Sequence, residues 1–398
     1  MSQENSSLNQ VSRRKAMGNL VEPVVSMRLV QNYIDDTLAA ALDEMTSPEG
    51  HPSITLKRRS KQASFFINPD NGALETTETE NQTTYTWPGQ DAHEAWRFTI
   101  AFRILAAIAE AVQTGLMISK RDIYYTDPAC FGSQRVVDTV VDDIAHTIGV
   151  DRTALNVEAA AKGLVAGYYC LKTKSHDILD ARLSTQDSLI PRAEYIEEID
   201  ISEIEWVLIL EKEAVYRRLA RSNYHTKAAV GKGIMITGKG YPDLCTRAFA
   251  RLLFEKSSHL RPAPCFYALV DSDPDGMAIM STYKYGSMAY AHENAKLNIP
   301  KLHWLGLRTS DVAAGADPLG DDALIRLTTR DRRKIVSMLN NSPILAVDGP
   351  EQEWRVELQQ MLMLNLKAET EIVYDRNGGL EGWIDRKMTD LLNDNRPF

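Results

Sequence analysis

The sequence predicts an α/β multidomain protein in which a winged helix-turn-helix is followed by a domain built on a parallel β-sheet. Three helix-like segments and a glycine-punctuated stretch fill residues 91–180, in the order typical of a winged helix-turn-helix. From about residue 200, short uninterrupted apolar runs alternate with helical segments. That alternation is typical of a parallel sheet covered by helices on both faces.

Composition narrows the class of protein. The chain has 398 residues, of which 44% are hydrophobic and 25% charged, so it has room for two or three globular domains. It lacks an apolar run near the ~18 residues of a membrane span, and its N-terminus lacks the apolar segment of a secretory signal. Four scattered cysteines without a C-x-x-C pair predict a reducing intracellular compartment and argue against structural zinc. The net charge of −9 argues against indiscriminate binding to polyanions but leaves room for a local basic groove.

Residues 1–90 are predicted to form an N-terminal extension with one helix and a polar linker. The basic cluster LKRRSK (56–61) is compatible with a nuclear-import signal, a phosphate contact or a solvated loop. The polar, turn-rich stretch 69–90 predicts a loop or linker. A helix is expected over 25–45, where apolar residues recur at helical spacing at Leu29, Ile34, Leu38 and Leu42.

The helices of the 91–180 domain carry clear start and stop signals. Ser119 and Asp122 match a capping box, so a short helix is expected to begin at about Lys120 and to stop at Pro128. A longer helix over 93–115 should precede it and a third helix over about 133–148 should follow, each ending at a glycine. Residues 154–173 are expected to supply the small hairpin of the wing.

Two adjacent tyrosines lie in the short second helix, within the run RDIYYTDPACF (121–131). Side chains of neighbouring residues point about 100° apart on a helix, so one tyrosine can be buried in the core while the other is exposed on the surface. Arg121 precedes Tyr125 by four residues and shares its face, where it can stabilise a developing phenolate or clamp a phosphate. Tyr124 is expected to pack inward. Taken alone, a tyrosine beside an arginine is more often structural than functional.

The second domain, predicted over 195–398, places acidic residues at the ends of its strands. Apolar strands are expected at 206–210, 233–237, 266–270 and 302–306. Ligands of such sheets bind at the carboxyl ends of the strands.

Glu211 directly follows the first of these strands, and Asp271, Asp273 and Asp275 follow the third. Carboxylates gathered at one rim suit a hard cation such as Mg²⁺, whereas the alternative is capping of the next helix. We expect metal binding for the set, and a capping or supporting role for Glu213 and Asp275.

The run GIMITGKG (233–240) resembles a phosphate-binding P-loop but departs from it in two ways. Gly240 stands where a P-loop has a Ser or Thr, and the apolar strand lies inside the motif. The sequence therefore predicts that this chain binds no nucleotide there, although the turn and Lys239 could hold a nucleic-acid phosphate.

Five motifs occur in the order found in one protein family. The chain resembles the A subunit of DNA topoisomerase VI and its eukaryotic relative, the meiotic DNA double-strand-break transesterase, over about residues 83–310. The motifs are KRDIYYTD, VDDIA…GV.R..LNV.AAAKGLVAG, LILEKEAVYRRL, GIMITGKGYPDLCTR and ALVDSDPDGMAIM. In that family a CAP-like winged helix carries a catalytic tyrosine, and a Toprim domain carries an acidic Mg²⁺ site.

The resemblance implies roles for individual residues. Tyr125 would be the nucleophile and Arg121 its assistant, and the Mg²⁺ ligands would be Glu211, Asp271 and Asp273. Three further residues align with segments that line the DNA channel: Lys162, Lys239 and Tyr241. The chain beyond about residue 310 contains no motif that we can assign.

The resemblance also implies chemistry and partners. Tyrosine attack on double-stranded DNA would leave a 5′-phosphotyrosyl link, made by a homodimer or by a heterotetramer with a B-type subunit. Three functions remain open: a nuclear meiotic break-forming enzyme with accessory meiotic proteins, a topoisomerase VI A subunit, and a catalytically silent DNA-binding scaffold. The N-terminal extension and the 69–90 insertion favour the first.

Overall fold

The structure is a computed structural model that describes residues 23–59, 64–77, 80–150, 152–158, 162–182, 188–288, 291, 293–313, 324–375 and 378–394. The chain divides into two compact units. Unit 1 comprises Met1–Ala63 and Glu78–Ala160, and unit 2 comprises Ser64–Thr77 and Ala161–Phe398.

Helices and strands are both distributed over the described residues. The helices are α1 (Pro23–Thr46), α2 (Ala92–Thr114), α3 (Lys120–Thr126), α4 (Pro128–Phe131), α5 (Gln134–Ile148), α6 (Glu213–Arg221), α7 (Tyr224–Lys227), α8 (Leu244–Ser257), α9 (Pro274–Lys284), α10 (Asn294–Leu297), α11 (Thr309–Ala313), α12 (Thr329–Asn341), α13 (Gln352–Leu364) and α14 (Gly379–Asp394). The strands are β1 (Ser53–Arg59), β2 (Phe65–Ile67), β3 (Leu74–Thr76), β4 (Glu80–Thr86), β5 (Ile118–Ser119), β6 (Val157–Glu158), β7 (Leu164–Gly167), β8 (Cys170–Thr173), β9 (Ile178–Asp180), β10 (Ser188–Leu189), β11 (Ile196–Asp200), β12 (Trp206–Leu210), β13 (Gly233–Thr237), β14 (Cys265–Leu269), β15 (Leu302–Gly306), β16 (Leu324–Arg326) and β17 (Leu366–Ala368). None of the helices in these ranges combines the length and the apolar content that a membrane crossing requires.

Unit 1 is built on the predicted helices. Helix α2 ends at Gly115, whose φ of 68° is the left-handed conformation that favours glycine at a helix C-terminus. Its every-fourth-residue stripe is buried, as predicted, and packs with the stripe of α5 into one core. Helix α5 runs between Ser133 and Gly149, also as predicted.

One prediction for the N-terminal region is wrong. The stretch 69–90 is not simply a loop, because it contains β3 and β4, and β4 pairs antiparallel with β1 from Ser53↔Thr86 to Arg59↔Glu80. The basic cluster at 56–61 therefore begins inside a strand, where Leu56 is buried and Arg58 lies 3.3 Å from Asp143, and its last two residues lie outside the described ranges.

Helix α1 forms where expected but buries a different face. Of the predicted stripe, only Ile34 is buried, whereas the three leucines of the stripe are exposed. Val30 and Ala41 are buried instead. The spacing thus identified the helix correctly and its packed face incorrectly.

The core of unit 2 is a six-stranded sheet in the order β10-β7-β13-β12-β14-β15. All four predicted strands belong to it, and β13, β12, β14 and β15 run parallel to one another. Helices α8 and α9 cover one face, and α6 and α14 cover the other, which explains why the central strands are apolar on both sides.

The residues expected to form a wing hairpin behave differently. Strand β7 pairs antiparallel with β13 in the six-stranded sheet, whereas β8 pairs with β9 and β11 in a separate sheet. Residues 162–180 therefore belong to unit 2, so the division into units differs from the boundaries predicted at 90 and 180. The winged-helix assignment stays a prediction.

Close packing at the start of β13 yields a test of the sheet. Gly233 pairs with Trp206, and a Cβ added to Gly233 would lie 2.1 Å from the indole ring. We expect Gly233→Ala to lower the free energy of unfolding by about 1–3 kcal/mol or more, through overpacking. Urea denaturation monitored by tryptophan fluorescence measures this.

The matched control is Gly382→Ala in α14, where the added Cβ would meet Arg386 at an ordinary 3.6 Å. Its unfolding midpoint should be unchanged or slightly raised, because alanine favours a helix. A Gly233→Ala protein as stable as the control would contradict the packing of β12 on β13.

Candidate active site

The helix that carries the two tyrosines is defined at both ends by its capping residues. The Asp122 amide donates to Ser119 Oγ at 3.0 Å, and the Ser119 amide donates to Asp122 Oδ2 at 2.9 Å. This reciprocal capping box starts α3 at Lys120, as predicted. Pro128 begins α4 directly afterwards, so α3 has only two turns.

Buried groups on one side of α3 fix its orientation. Lys120 is only 6% exposed, and its Nζ lies 2.6 Å from Asp142 Oδ1 on α5. Ile123 is buried in the core of unit 1. The opposite side of α3 is consequently held towards solvent.

Tyr124 and Tyr125 face different surroundings, as predicted. Tyr124 is half-buried and packs against the unit 1 core, whereas Tyr125 is 58% exposed. The geometry thus leaves the hydroxyl-bearing ring of Tyr125 accessible to a large substrate.

Arg121 contacts Tyr125 as the shared helical face requires. Its Nη2 lies 3.3 Å from the Tyr125 hydroxyl, and its Cζ lies 5.5 Å from the centroid of the ring. The hydrogen bond to Tyr125 raises the pKa of Arg121 above its usual value, so the guanidinium stays charged. A permanent cation beside the phenol oxygen can stabilise the negative charge that develops on this oxygen when it acts as a nucleophile.

In unit 2, the first acidic residue follows β12. Glu211 Oε2 accepts a hydrogen bond from the Asp271 amide at 2.9 Å, because β12 and β14 are neighbouring parallel strands that end together. Burial raises the pKa of Glu211 to about 8, and the negative charges of Asp271 and Asp273 add to the shift. Glu211 is therefore an acid whose ionised form requires a nearby positive charge.

Asp271 follows β14 and is held by the C-terminal part of the chain. It is 6% exposed, and its Oδ1 accepts hydrogen bonds from the Thr370 amide at 2.8 Å and the Thr370 hydroxyl at 2.6 Å. Its Oδ2 lies 3.2 Å from Lys212 Nζ. Both oxygens of Asp271 thus have protein partners.

Asp273 caps α9 and shares a tight turn with Gly276. Its Oδ1 accepts from the Gly276 amide at 2.7 Å. Burial raises the pKa of Asp273 above its usual value, although that amide opposes the shift. A Cβ on Gly276 would lie 2.5 Å from the Asp271 carbonyl oxygen and 3.0 Å from Glu211 Oε2, so the acids converge only because this residue is glycine.

The donor set of this acidic rim (Glu211, Asp271 and Asp273) suits a hard cation that keeps several water molecules. Within the part of the chain that the structure describes, neither Glu211 Oε1 nor Asp273 Oδ2 meets a hydrogen-bond donor. Within the same ranges, no three His, Cys, Asp or Glu side chains form a ready-made metal cage. Mg²⁺ in proteins is commonly held by one or two carboxylates and waters, so the residues fit this ion. The assignment of all three acids as ligands stays a prediction.

The three residues predicted to contact DNA lie along the same edge of unit 2. Lys162 Nζ donates to the Lys239 carbonyl at 3.3 Å, and the next residue, Gly240, donates its amide to the Glu211 carbonyl at 2.9 Å. Tyr241 is partly exposed, and its hydroxyl lies 3.3 Å from Asp275 Oδ1. Their role in binding DNA stays a prediction.

The two acids expected to have supporting roles have cationic partners. Glu213 lies 2.7 Å from Arg217 and 3.3 Å from Lys239. Asp275 forms an ion pair with Lys334 of α12.

Sequence reasoning missed three contributors to this edge: Lys212, Lys334 and Thr370. The last two come from the region beyond residue 310, where we could assign no motif. Lys212 stands inside the motif LILEKEAVYRRL, so its proximity to Glu211 was the available signal.

Comparison with known proteins agrees with the motifs. Residues 206–379 match the family described as the Toprim domain of Spo11 and of the A subunit of topoisomerase 6. Residues 96–157 match the family described as "Type IIB DNA topoisomerase". The acidic rim lies in the first match, and Arg121 and Tyr125 lie in the second.

Curated relatives cover most of the chain. It is 34% identical to "Meiotic recombination protein SPO11" of Homo sapiens, over 85% of this chain and 81% of the relative. It is 33% identical to "Meiotic recombination protein rec12" of Schizosaccharomyces pombe, over 91% and 95%. The A subunit of DNA topoisomerase 6 from Arabidopsis thaliana is 33% identical over 68% and 60%. These matches confirm the resemblance, and the chain belongs to the family of Spo11 meiotic recombination proteins and topoisomerase 6 A subunits.

Proposed function

We propose that this protein makes DNA double-strand breaks by tyrosine transesterification and so initiates meiotic recombination in the nucleus. The observation that carries the proposal is the exposed Tyr125 with the Arg121 guanidinium at its hydroxyl, on a helix anchored from behind by Lys120. The names of two relatives that cover most of this chain support the meiotic role.

The reaction exchanges one phosphodiester for another. The Tyr125 phenol oxygen attacks a backbone phosphorus and gives up its proton, and the new bond joins that oxygen to the 5′ phosphate. The bond from phosphorus to the 3′ oxygen breaks, and the 3′ oxygen leaves and takes up a proton. Arg121 can stabilise the negative charge that develops on the phenol oxygen during the attack, and it can contact the phosphate with its remaining N–H groups.

The acidic rim would hold Mg²⁺ through Glu211 and Asp273, with Asp271 as the third predicted ligand. When bound, the ion supplies positive charge to the phosphate and to the leaving 3′ oxygen. The residues themselves position the site: Gly276 lets the acids approach one another, and Thr370 fixes the Asp271 carboxylate.

DNA would run along the edge that Lys162, Lys239 and Tyr241 share. The two lysines can contact backbone phosphates, and the partly exposed Tyr241 offers an aromatic face beside them. Such contacts position the duplex without reading its sequence.

Two protomers would be needed to break both strands. Tyr125 lies in unit 1 and the acidic rim in unit 2, so each catalytic group belongs to a separate compact unit. Following the family resemblance, we infer that the tyrosine of one protomer works with the acids of its partner. The assembly would be a homodimer or a heterotetramer with a B-type subunit, and accessory meiotic proteins would assist it.

A second candidate function is that of a topoisomerase component that reseals the break together with an ATP-hydrolysing partner. The match to the topoisomerase 6 relative favours it, but over a smaller share of both chains than the meiotic relatives. A catalytically silent scaffold is disfavoured, because the tyrosine, the arginine and all three acids are present.

Metal binding should depend on pH because of Glu211. Its raised pKa of about 8 means that this carboxyl is largely protonated at pH 6.5 and must lose its proton to bind a cation. We expect the affinity for Mn²⁺ to rise up to about tenfold per pH unit below pH 8 and then to level off. Electron paramagnetic resonance of Mn²⁺ titrations measures this.

In the control Glu211→Gln, binding should be weaker and its dependence on pH between 6.5 and 8 should be reduced. An affinity of the natural chain that is flat across this range would contradict the involvement of Glu211 in the site.

Loss of the Tyr125 hydroxyl should abolish cleavage. We expect Tyr125→Phe to reduce linearisation of supercoiled DNA in Mg²⁺, together with protein attached to 5′ ends, by at least about 10³-fold, since only the nucleophile is removed. DNA binding should stay near normal.

The matched control is Tyr124→Phe, which removes the hydroxyl of the inward-packed neighbour and should retain most of the activity. If Tyr124→Phe were inactive and Tyr125→Phe cleaved DNA, the assignment of the nucleophile would be wrong.

A further inference from the structure

Lys212 lies among three carboxylates beside the acidic rim. Its Nζ is 3.2 Å from Asp271 Oδ2, 3.0 Å from Glu369 Oε2 and 2.8 Å from Glu371 Oε2. The two glutamates flank Thr370, the residue that holds the other oxygen of Asp271. A single short segment, 369–371, thus contacts both Asp271 and the lysine bound to it.

The bonds of Asp271 are of two different kinds. Oδ1 is held by the amide and the hydroxyl of Thr370, a residue buried at 2% exposure, so these bonds belong to the folded framework. Oδ2 is held by the ammonium of Lys212, whose side chain has a flexible stem of four carbons and is 25% exposed. A cation that reaches Asp271 can displace Lys212 without disturbing the fold, whereas displacing Thr370 would disturb it.

We propose that Lys212 is a resident counter-ion of Asp271, which a divalent cation replaces while Glu369 and Glu371 retain the displaced ammonium. The inference rests on the proposed metal site and adds how that site is held before the metal arrives. The positive charge keeps a nearly buried carboxylate compensated, and it also competes with the metal for Oδ2. Lys212 would therefore lower the affinity of the acidic rim for the metal.

The opposite role predicts the opposite sign. If Lys212 served only to orient Asp271 as a ligand, its removal would weaken metal binding, as the loss of supporting partners generally does. Metal affinity measured without DNA therefore separates the two roles, and it needs no cleavage activity.

The experiment titrates Mn²⁺ into the full-length chain at pH 8 and follows free Mn²⁺ by electron paramagnetic resonance. We expect Lys212→Met to bind Mn²⁺ about tenfold more tightly, because one repulsive and competing charge is removed. Lys212→Arg keeps the charge and should stay near the natural affinity. The matched control, Lys232→Met, removes an ammonium that lies 2.8 Å from Glu203, before the opposite end of β13, and should change nothing.

Substitution of the two glutamates provides an independent test of the proposal. In Glu369→Gln with Glu371→Gln, Lys212 is left with Asp271 alone, so Mn²⁺ should bind more weakly. When Lys212→Met is added, the weakening caused by the two glutamine substitutions should become much smaller, because there is no ammonium left to retain. Thermal unfolding of each variant checks that the fold is intact.

Three results would overturn the proposal in distinguishable ways. Weaker or unchanged binding by folded Lys212→Met would show that Lys212 does not compete with the metal. An equal loss from the glutamine substitutions in both backgrounds would show that these glutamates act on the ion directly. A natural chain that binds no Mn²⁺ at all would refute the metal site of the proposed function itself, and the counter-ion role with it.

Discussion

The acidic rim depends on the adjacency of two parallel strands, β12 and β14, whose last residues Leu210 and Leu269 lie side by side. Glu211 follows β12 directly and Asp271 follows β14 after one intervening residue, so the two carboxylates are brought together at a partly buried edge. Burial and mutual repulsion oppose their ionisation, and this is the reason for the raised pKa of Glu211. The surrounding groups follow from that constraint: Gly276 provides room, Thr370 donates to Asp271, and Lys212 supplies a positive charge.

Tyr125, in contrast to the acids of the rim, is held at an exposed position. In unit 1 the buried groups, Lys120 and Ile123, lie on the back of α3, and the Tyr125 side chain is left exposed. Arg121 keeps its charge at the Tyr125 hydroxyl without burial, because the pair needs only the four-residue spacing of a helix. An exposed nucleophile is suited to a substrate as large as DNA, and a half-buried acidic rim is suited to a cation. Neither unit contains both sets of groups.

Local signals in the sequence predicted what neighbouring residues determine. The capping box of α3, the different environments of the two tyrosines, and the strands that precede Glu211 and Asp271 are all present, because each depends on a few consecutive residues. Contacts between distant parts of the chain were not predictable in this way. Thr370 donates a hydrogen bond to Asp271 although the two residues are 99 positions apart in the chain. No motif in the sequence identifies Thr370 as a partner of Asp271. Strand β4 was mistaken for a loop, since only alternate residues of the β1–β4 pair face the core and the rest are polar. The stretch 154–173, which was expected to supply a wing hairpin, instead contributes β7 to the six-stranded sheet and β8 to a separate sheet, through pairings with distant strands.

We propose that Tyr125 and the acidic rim are two halves of one active site, which different protomers contribute. The most direct test mixes Tyr125→Phe with Glu211→Gln and isolates heterodimers by two affinity tags. In such a dimer one composite site carries both lesions and the other carries none, so the intact site should nick supercoiled DNA without breaking both strands. Each variant alone should leave the circles intact. Heterodimers that produce no nicks under conditions where the natural protein cleaves would contradict the claim, because a site built within one chain would be damaged in both protomers.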